Sequence, residues 1–152
     1  DMRNGKKSFG KVALLLLGGM AGLAVLLPGA EAASFPREGN VDIPNGVAAP
    51  FAGSWWIGFP EGEGMINGEP IVTCAAPVEL SAESPEMLRY TSPRGTQTSF
   101  ELFEFSGRTT WFVEGGESTI AVWVSADEFF AYSVDLLTGK ARWDSPIVYR
   151  RC

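Results

Sequence analysis

From Ala52 to Cys152 the apolar positions fall into short runs rich in aromatic and β-branched residues, punctuated by Gly, Pro, Asn, Asp and Ser. A break roughly every ten residues predicts strands and turns and leaves no room for a helix. The runs are Gly53 to Gly58, Pro70 to Leu80, Met87 to Thr91, Thr98 to Phe105, Thr109 to Glu114, Thr119 to Val124, Glu128 to Asp135, and Ala141 to Arg151, the last bent at Pro146. Gly115-Gly116 suits a two-residue hairpin with positive φ, and Thr138-Gly139-Lys140 places Gly where a left-handed residue is wanted, so consecutive strands are expected to pair antiparallel. Ile120, Val122 and Val124 make one aliphatic face, while Ala121 and Trp123 leave the other apolar as well. Phe100 and Leu102 share one parity and Phe103 and Phe105 the other, which calls for a bulge or burial on both faces. Eight short antiparallel strands suit a barrel or a sandwich. Closure removes the exposed edges of so small a sheet, so the fold expected is all-β, an eight-stranded antiparallel up-and-down barrel. Such a barrel holds packed side chains or one small ligand.

The residues before Ala52 follow other rules. Arg3, Lys6, Lys7 and Lys11 form a basic head, Val12 to Leu27 an apolar run without charge, and Ala30-Glu31-Ala32 a small-residue cleavage site after the breaking pair Pro28-Gly29. These are the three parts of a secretory signal peptide, so residues 1–32 are read as a leader cut between Ala32 and Ala33, and the product as periplasmic or secreted. The competing reading is an uncleaved anchor, for which sixteen apolar residues are short. Ser34 to Pro50 carries Pro36, Pro44 and Pro50 with Gly39 and Gly46 and shows no period, so residues 33–51 are read as an extended arm: a tether from the cleavage site, or a segment that binds a partner. The domain proper is 52–152.

Cleavage changes the charge balance. Eight basic residues then face sixteen acidic ones, a net charge of −8. Nucleic acid and anionic membrane surfaces are excluded as partners, because both need a basic face to replace counterions. Cys74 and Cys152 are the only thiols. In an oxidising compartment a bridge between them is the simplest reading; the alternative is a reactive thiol beside Arg150 and Arg151.

The chain holds no histidine. That removes the usual general base, the Ser-His and Cys-His nucleophile pairs and the commonest ligand of zinc and copper, so the expectation is a protein that is not an enzyme and carries no cofactor. Glu101 with Glu104, and Asp127 beside Glu128, read as solvated charges rather than a catalytic carboxylate pair. Glu61, Glu63 and Glu69 lack the ligand spacing of a dedicated calcium loop.

Gly53-Ser54-Trp55, at the start of the first run, resembles the Gly-x-Trp signature that opens lipocalin and related calycin barrels. The resemblance implies that the chain crosses close beneath the barrel at Gly53, that Trp55 plugs the closed end, and that an arginine near the chain end lies over the indole. Arg150, or its neighbour Arg151, occupies the matching place. Val124-Ser125-Ala126-Asp127, leading to Tyr132, is similar to the lipocalin turn before the seventh strand, with only Asp127 matching. The resemblance further implies that the Gly-rich stretch from Gly58 to Glu69 covers the open mouth.

Seventeen aromatic residues follow the leader, more than one small core needs. Of the tryptophans Trp55, Trp56, Trp111, Trp123 and Trp143, adjacent Trp55 and Trp56 cannot both face inward, so one of them marks a surface. The residues expected to bind ligand are Trp56, Phe103, Phe112, Trp123 and Phe130, with Gly53, Trp55, Arg150, Cys74 and Cys152 structural. Three functions are compatible: binding of a small apolar or amphipathic molecule, binding of a periplasmic protein, or an accessory envelope role with a filled barrel. The protein-binding reading draws on a similarity to small barrel inhibitors of bacterial metalloproteases, which also carry a Gly-x-Trp strand and one disulfide, and it lays the arm in the target cleft. The secreted product is expected to begin at Ala33 and to resist alkylation of both cysteines until reduced; intact mass before and after reduction checks both points.

Overall fold

The computed structural model describes residues 35–60 and 71–152. The leader, its cleavage site, and the loop carrying Glu61, Glu63 and Glu69 lie outside the described residues. The described residues form β1 (Gly53–Gly58), β2 (Val78–Ser84), β3 (Met87–Thr91), β4 (Gln97–Phe105), β5 (Arg108–Phe112), β6 (Thr119–Ser125), β7 (Glu128–Ser133) and β8 (Ile147–Arg151). Each strand pairs antiparallel with the next in a closed barrel. Closure is made by β1 against β8, in register from Trp55 opposite Arg151 to Gly58 opposite Val148.

Alternation along each strand fixes which side chains fill the barrel. Trp55 and Ile57 of β1, Val78 and Leu80 of β2, Leu88 of β3, Leu102 of β4, Trp111 of β5, Ala121 and Trp123 of β6, Phe129 and Ala131 of β7, and Tyr149 of β8 form one buried cluster. Small Ala121 and Ala131, paired across β6 and β7, leave room for the large rings. Register shifts occur at Ala82–Ser84 and Trp123–Ser125. The irregularity expected in β4 is absent: it pairs without a shift, and Phe103 and Phe105 point outward, 46% and 72% exposed.

Two strands differ from the sequence expectation. The run Pro70 to Leu80 is not one strand; Val72 makes a lone bridge to Ile57, residues 73–77 leave the sheet, and β2 begins only at Val78. Pro77 has no N–H for a ladder, and Cys74 is drawn away to the disulfide. The last run is also shorter, since only Ile147 to Arg151 pair as a strand, with Val134 and Ala141 bridged before it. Between β5 and β6 the chain spans six residues rather than a two-residue turn, with Gly115 at φ 74°. Gly139 has the left-handed φ of 67° expected of it.

The arm is neither a free tether nor an extended probe in its described part. Phe35 packs on Phe130 at 6.2 Å, and the Tyr132 hydroxyl donates to the Pro36 carbonyl. The Asn40 N–H donates to the Trp123 carbonyl, and Asn45 bonds both Gly107 and Thr109. Ala48 N–H reaches the Pro85 carbonyl in the β2–β3 turn. The arm thus crosses beneath the barrel and ends in a short 3-10 helix, Ala49–Phe51, whose Phe51 is fully buried.

The Cys74–Cys152 disulfide, with Cα atoms 5.5 Å apart, ties the segment beside β1 to the residue following β8. Cys152 N–H donates to the Ser54 carbonyl, so the bond lies across the β1–β8 seam. It spans a sequence separation of 78, for which loop entropy gives about 4 to 5 kcal/mol. Trp55→Ala is expected to cost about 3 to 5 kcal/mol, as a large truncation in a packed core. Trp56→Ala removes only a half-buried ring on the outer face and should lower the denaturation midpoint distinctly less.

Candidate functional site

The two ends of the barrel differ in chemistry. At the closed end Trp55 is fully buried, and its Nε1 donates to the Phe51 carbonyl at 2.8 Å. The Arg151 guanidinium lies 4.3 Å from the indole centre. Its donors reach the carbonyls of Pro50, Ala52 and Ala126 and the Asp127 carboxylate at 2.7–3.3 Å. Gly53, at φ 140°, is required here, because a Cβ would stand 2.6 Å from an Arg151 nitrogen. The arginine over Trp55 is therefore Arg151. Arg150, one residue earlier and on the opposite face, pairs with Glu128 at 2.8 Å and lies over Trp56 at 5.2 Å.

Above this knot the interior is filled by aromatic rings. Phe51 contacts Trp111, Trp123 and Phe129 at centroid distances of 5.3, 4.5 and 5.1 Å, and Phe129 stacks on Tyr149 at 4.5 Å. Toward the open end the packing loosens: Tyr90, Phe100 and Ile147 are only partly buried against the core. Phe100 meets Trp111 at 5.5 Å, and Trp111 meets Tyr149 at 5.9 Å. These five side chains form the end layer of the core, where burial is incomplete.

The polar atoms of this layer are all protonated at neutral pH: the indole N–H only donates, whereas the phenol hydroxyls can both donate and accept. Burial pushes the Tyr149 hydroxyl far up from its ordinary range, and neighbouring Tyr90 adds to the effect. Burial raises Tyr90 as well. Among the described residues Trp111 Nε1 is buried with no hydrogen-bond partner; so is Trp123 Nε1, deeper in the barrel. A buried unsatisfied donor costs about 1 to 3 kcal/mol, and natural structures rarely leave one without water or ligand.

The residues expected from sequence to line a ligand site are not brought together. Trp123 is a core residue, 1% exposed, packed on Phe51 and away from the rim. Phe103 and Phe112 meet each other at 6.2 Å on the outside of β4 and β5. Phe130 lies under Phe35 of the arm, and Trp56 under Arg150. The side chains at the incompletely buried end of the core are instead Tyr90, Phe100 and Ile147, with Trp111 and Tyr149 behind them. The parity of Phe100 with Leu102 pointed to Phe100; nothing local marked the tyrosines. Among the described residues no group of His, Cys, Asp or Glu is arranged to hold a metal.

No family model matches the chain, and neither curated proteins nor solved structures provide a match. The likeness to calycin barrels is thus one of architecture: eight strands closed in sequence order, opened by Gly-x-Trp beneath an arginine.

Tyr132, on the outer face, is pushed up to about 12 by burial, with Arg37 and Arg108 pulling the other way. All three phenols are therefore neutral in the fold and ionise more readily once unfolded, near pH 10. The sign follows: the native state holds the phenolic protons more tightly, so this stability is complete below about pH 10 and lost as pH rises toward 12. Alkaline titration should show phenolate absorbance appearing together with loss of near-ultraviolet circular dichroism, rather than as three independent ionisations.

Proposed function

We propose that this chain is an exported small barrel whose open end binds a small, mainly apolar molecule carrying a hydrogen-bond acceptor. The observation that carries this reading is the buried Trp111 Nε1, which has no partner among the described residues and packs on Tyr149, itself near Tyr90. Apolar sites with a few convergent polar groups are the usual form of small-molecule pockets. A carbonyl, quinone or amide oxygen satisfies such donors; a plain hydrocarbon does not. Because Phe51 and Trp123 fill the lower barrel, the occupant is short, seated at the rim rather than threaded through. The signal-like leader and the disulfide support an oxidising, exported location.

A protein-binding role has separate support in Phe103, Phe105 and Phe112, which stand 43–72% exposed on the outside of β4 and β5. Inhibition of a protease by the arm loses its means, because residues 35–51 are already bonded to the barrel.

The test is titration of Trp fluorescence with matched pairs of apolar compounds that differ by one carbonyl oxygen. Binding tighter than about 100 μM, near −5.5 kcal/mol, is expected for the carbonyl member. Trp111→Phe should weaken it by roughly tenfold while sparing the hydrocarbon member. If neither member binds, the exposed phenylalanine face becomes the favoured site.

A further inference from the structure

Antiparallel strands with one solvated face ordinarily turn polar side chains outward, and where this barrel turns rings outward it covers several of them. Phe35 of the arm packs on Phe130, and the Arg150 guanidinium lies over Trp56. β4 and β5 differ. Phe103, Phe105 and Phe112 all face outward and stand exposed. Phe103 and Phe112 meet edge to face at 6.2 Å, and Phe105 follows Phe103 on the same face of its strand. The two strands pair without a shift, so the sheet holds the three rings in fixed places.

The rim of this patch is acidic. Glu101 stands directly opposite Phe112 in register, Glu114 comes two residues after Phe112, and Glu104 lies between Phe103 and Phe105; all three are exposed. The cations beside the patch are engaged elsewhere. Arg108, opposite Phe105, reaches instead toward β7, where its guanidinium lies 4.8 Å from the Trp143 ring centre beside Tyr132, and its Nε donates to the Arg37 carbonyl. Arg89, on β3, pairs with Glu83 at 2.6 Å.

We infer that this face docks a short cationic, amphipathic segment of another protein, with its apolar side chains set among the three phenyl rings and its lysines or arginines against Glu101 and Glu114. The inference rests on the protein-binding reading, not on the open-end ligand, and it names the partner's chemistry. Area sets the partner's size. A phenyl ring covers about 150 to 250 Å² when fully buried, so three partly covered rings offer on the order of 300 Å². That is enough to mark an interaction site but well below the roughly 800 Å² per partner of a standard interface, which suits a segment rather than a whole domain. Charge sets its sign. The chain carries a net charge of −6, so a second copy brings like charge to an acidic rim, whereas a cationic segment is drawn to it. An uncharged bilayer would cover the rings but leave the nearby carboxylates desolvated without partners. Cations also gain from the faces of the exposed rings themselves.

The experiment titrates the ¹⁵N-labelled chain with three capped heptapeptides: one alternating lysine with leucine, one with glutamate in place of lysine, and one with serine in place of leucine. Amide signals of β4 and β5 report on the face, and the Trp111 indole N–H reports on the open end. The lysine–leucine peptide is expected to give saturable shifts confined to β4 and β5, with a Kd of about 100 μM or tighter, and the other two to bind about tenfold more weakly or less. Phe103→Thr and Phe105→Thr, outward positions where threonine keeps the strand preference, should each weaken binding roughly fivefold and leave the thermal midpoint unchanged; if Phe103→Thr lowers it, the more exposed Phe105 decides. Glu101→Gln combined with Glu114→Gln should weaken binding and flatten its dependence on salt. Equal binding of the glutamate peptide overturns the cationic partner while leaving the face a protein-binding one. Shifts at the Trp111 indole alone move the peptide to the open end and overturn docking here, as does the absence of shifts with every peptide. A dimer in sedimentation equilibrium, or binding to phosphatidylcholine vesicles, that Phe105→Thr abolishes gives the face to a second copy or a bilayer and overturns the proposal too.

Discussion

The barrel hangs on the contact between Trp55 and Arg151. The indole enters from the first strand and the guanidinium from the last, so the pair joins the two strands that must meet for the sheet to close. Arg151 also takes the backbone carbonyls of the arm and of the β6–β7 turn, with the Asp127 side chain. One side chain thus joins two distant stretches of chain, residues 50–55 and 126–127. The charge is tolerated because it is spread over several acceptors and an aromatic face, and because the side chain keeps 27% of its surface in water. Gly53 follows as a dependent requirement, since any side chain there would occupy the guanidinium's place.

What the closed end gains in rigidity it takes from the interior. Phe51, brought in by the 3-10 helix, fills space that a larger barrel of this kind leaves empty, and it touches three other rings. A site inside this molecule is consequently confined to the layer of Tyr90, Phe100 and Ile147. The arm does not stop at sealing the base. Its first described residues climb the outer face, covering Phe130 and Tyr132.

The strand pattern was legible because most strands obey a two-residue period and the turns carry Gly or Asp where the backbone needs them. Cys74 with Cys152, and Gly53 with Trp55, were legible too, since few other residues compete for those roles. β2 was misplaced because Ile71 and Val72 continue an apolar run in sequence while Pro77 and the disulfide break it in space. Arg150 was preferred to its neighbour because a run of two arginines carries no mark of which one faces inward; only the register with Trp55 decides that. The expected ligand residues are scattered for a related reason. Phe103, Phe112 and Phe130 are aromatic, yet their parity sends them outward, and a surplus of rings says nothing about which face they take.

Closure by the first and last strands also governs how the molecule is made. The hydrogen bond from Arg151 to Ala52 joins residues 99 apart, so β1 remains an unpaired edge on one side until the last strand is in place. Contacts of such long sequence separation slow folding, because the intervening chain must be ordered before they form. During that interval Trp55 and the apolar strands are open to wrong partners. With only two cysteines no mispairing within the chain is possible, and oxidation then acts as a latch that closes after the seam has met and slows its reopening.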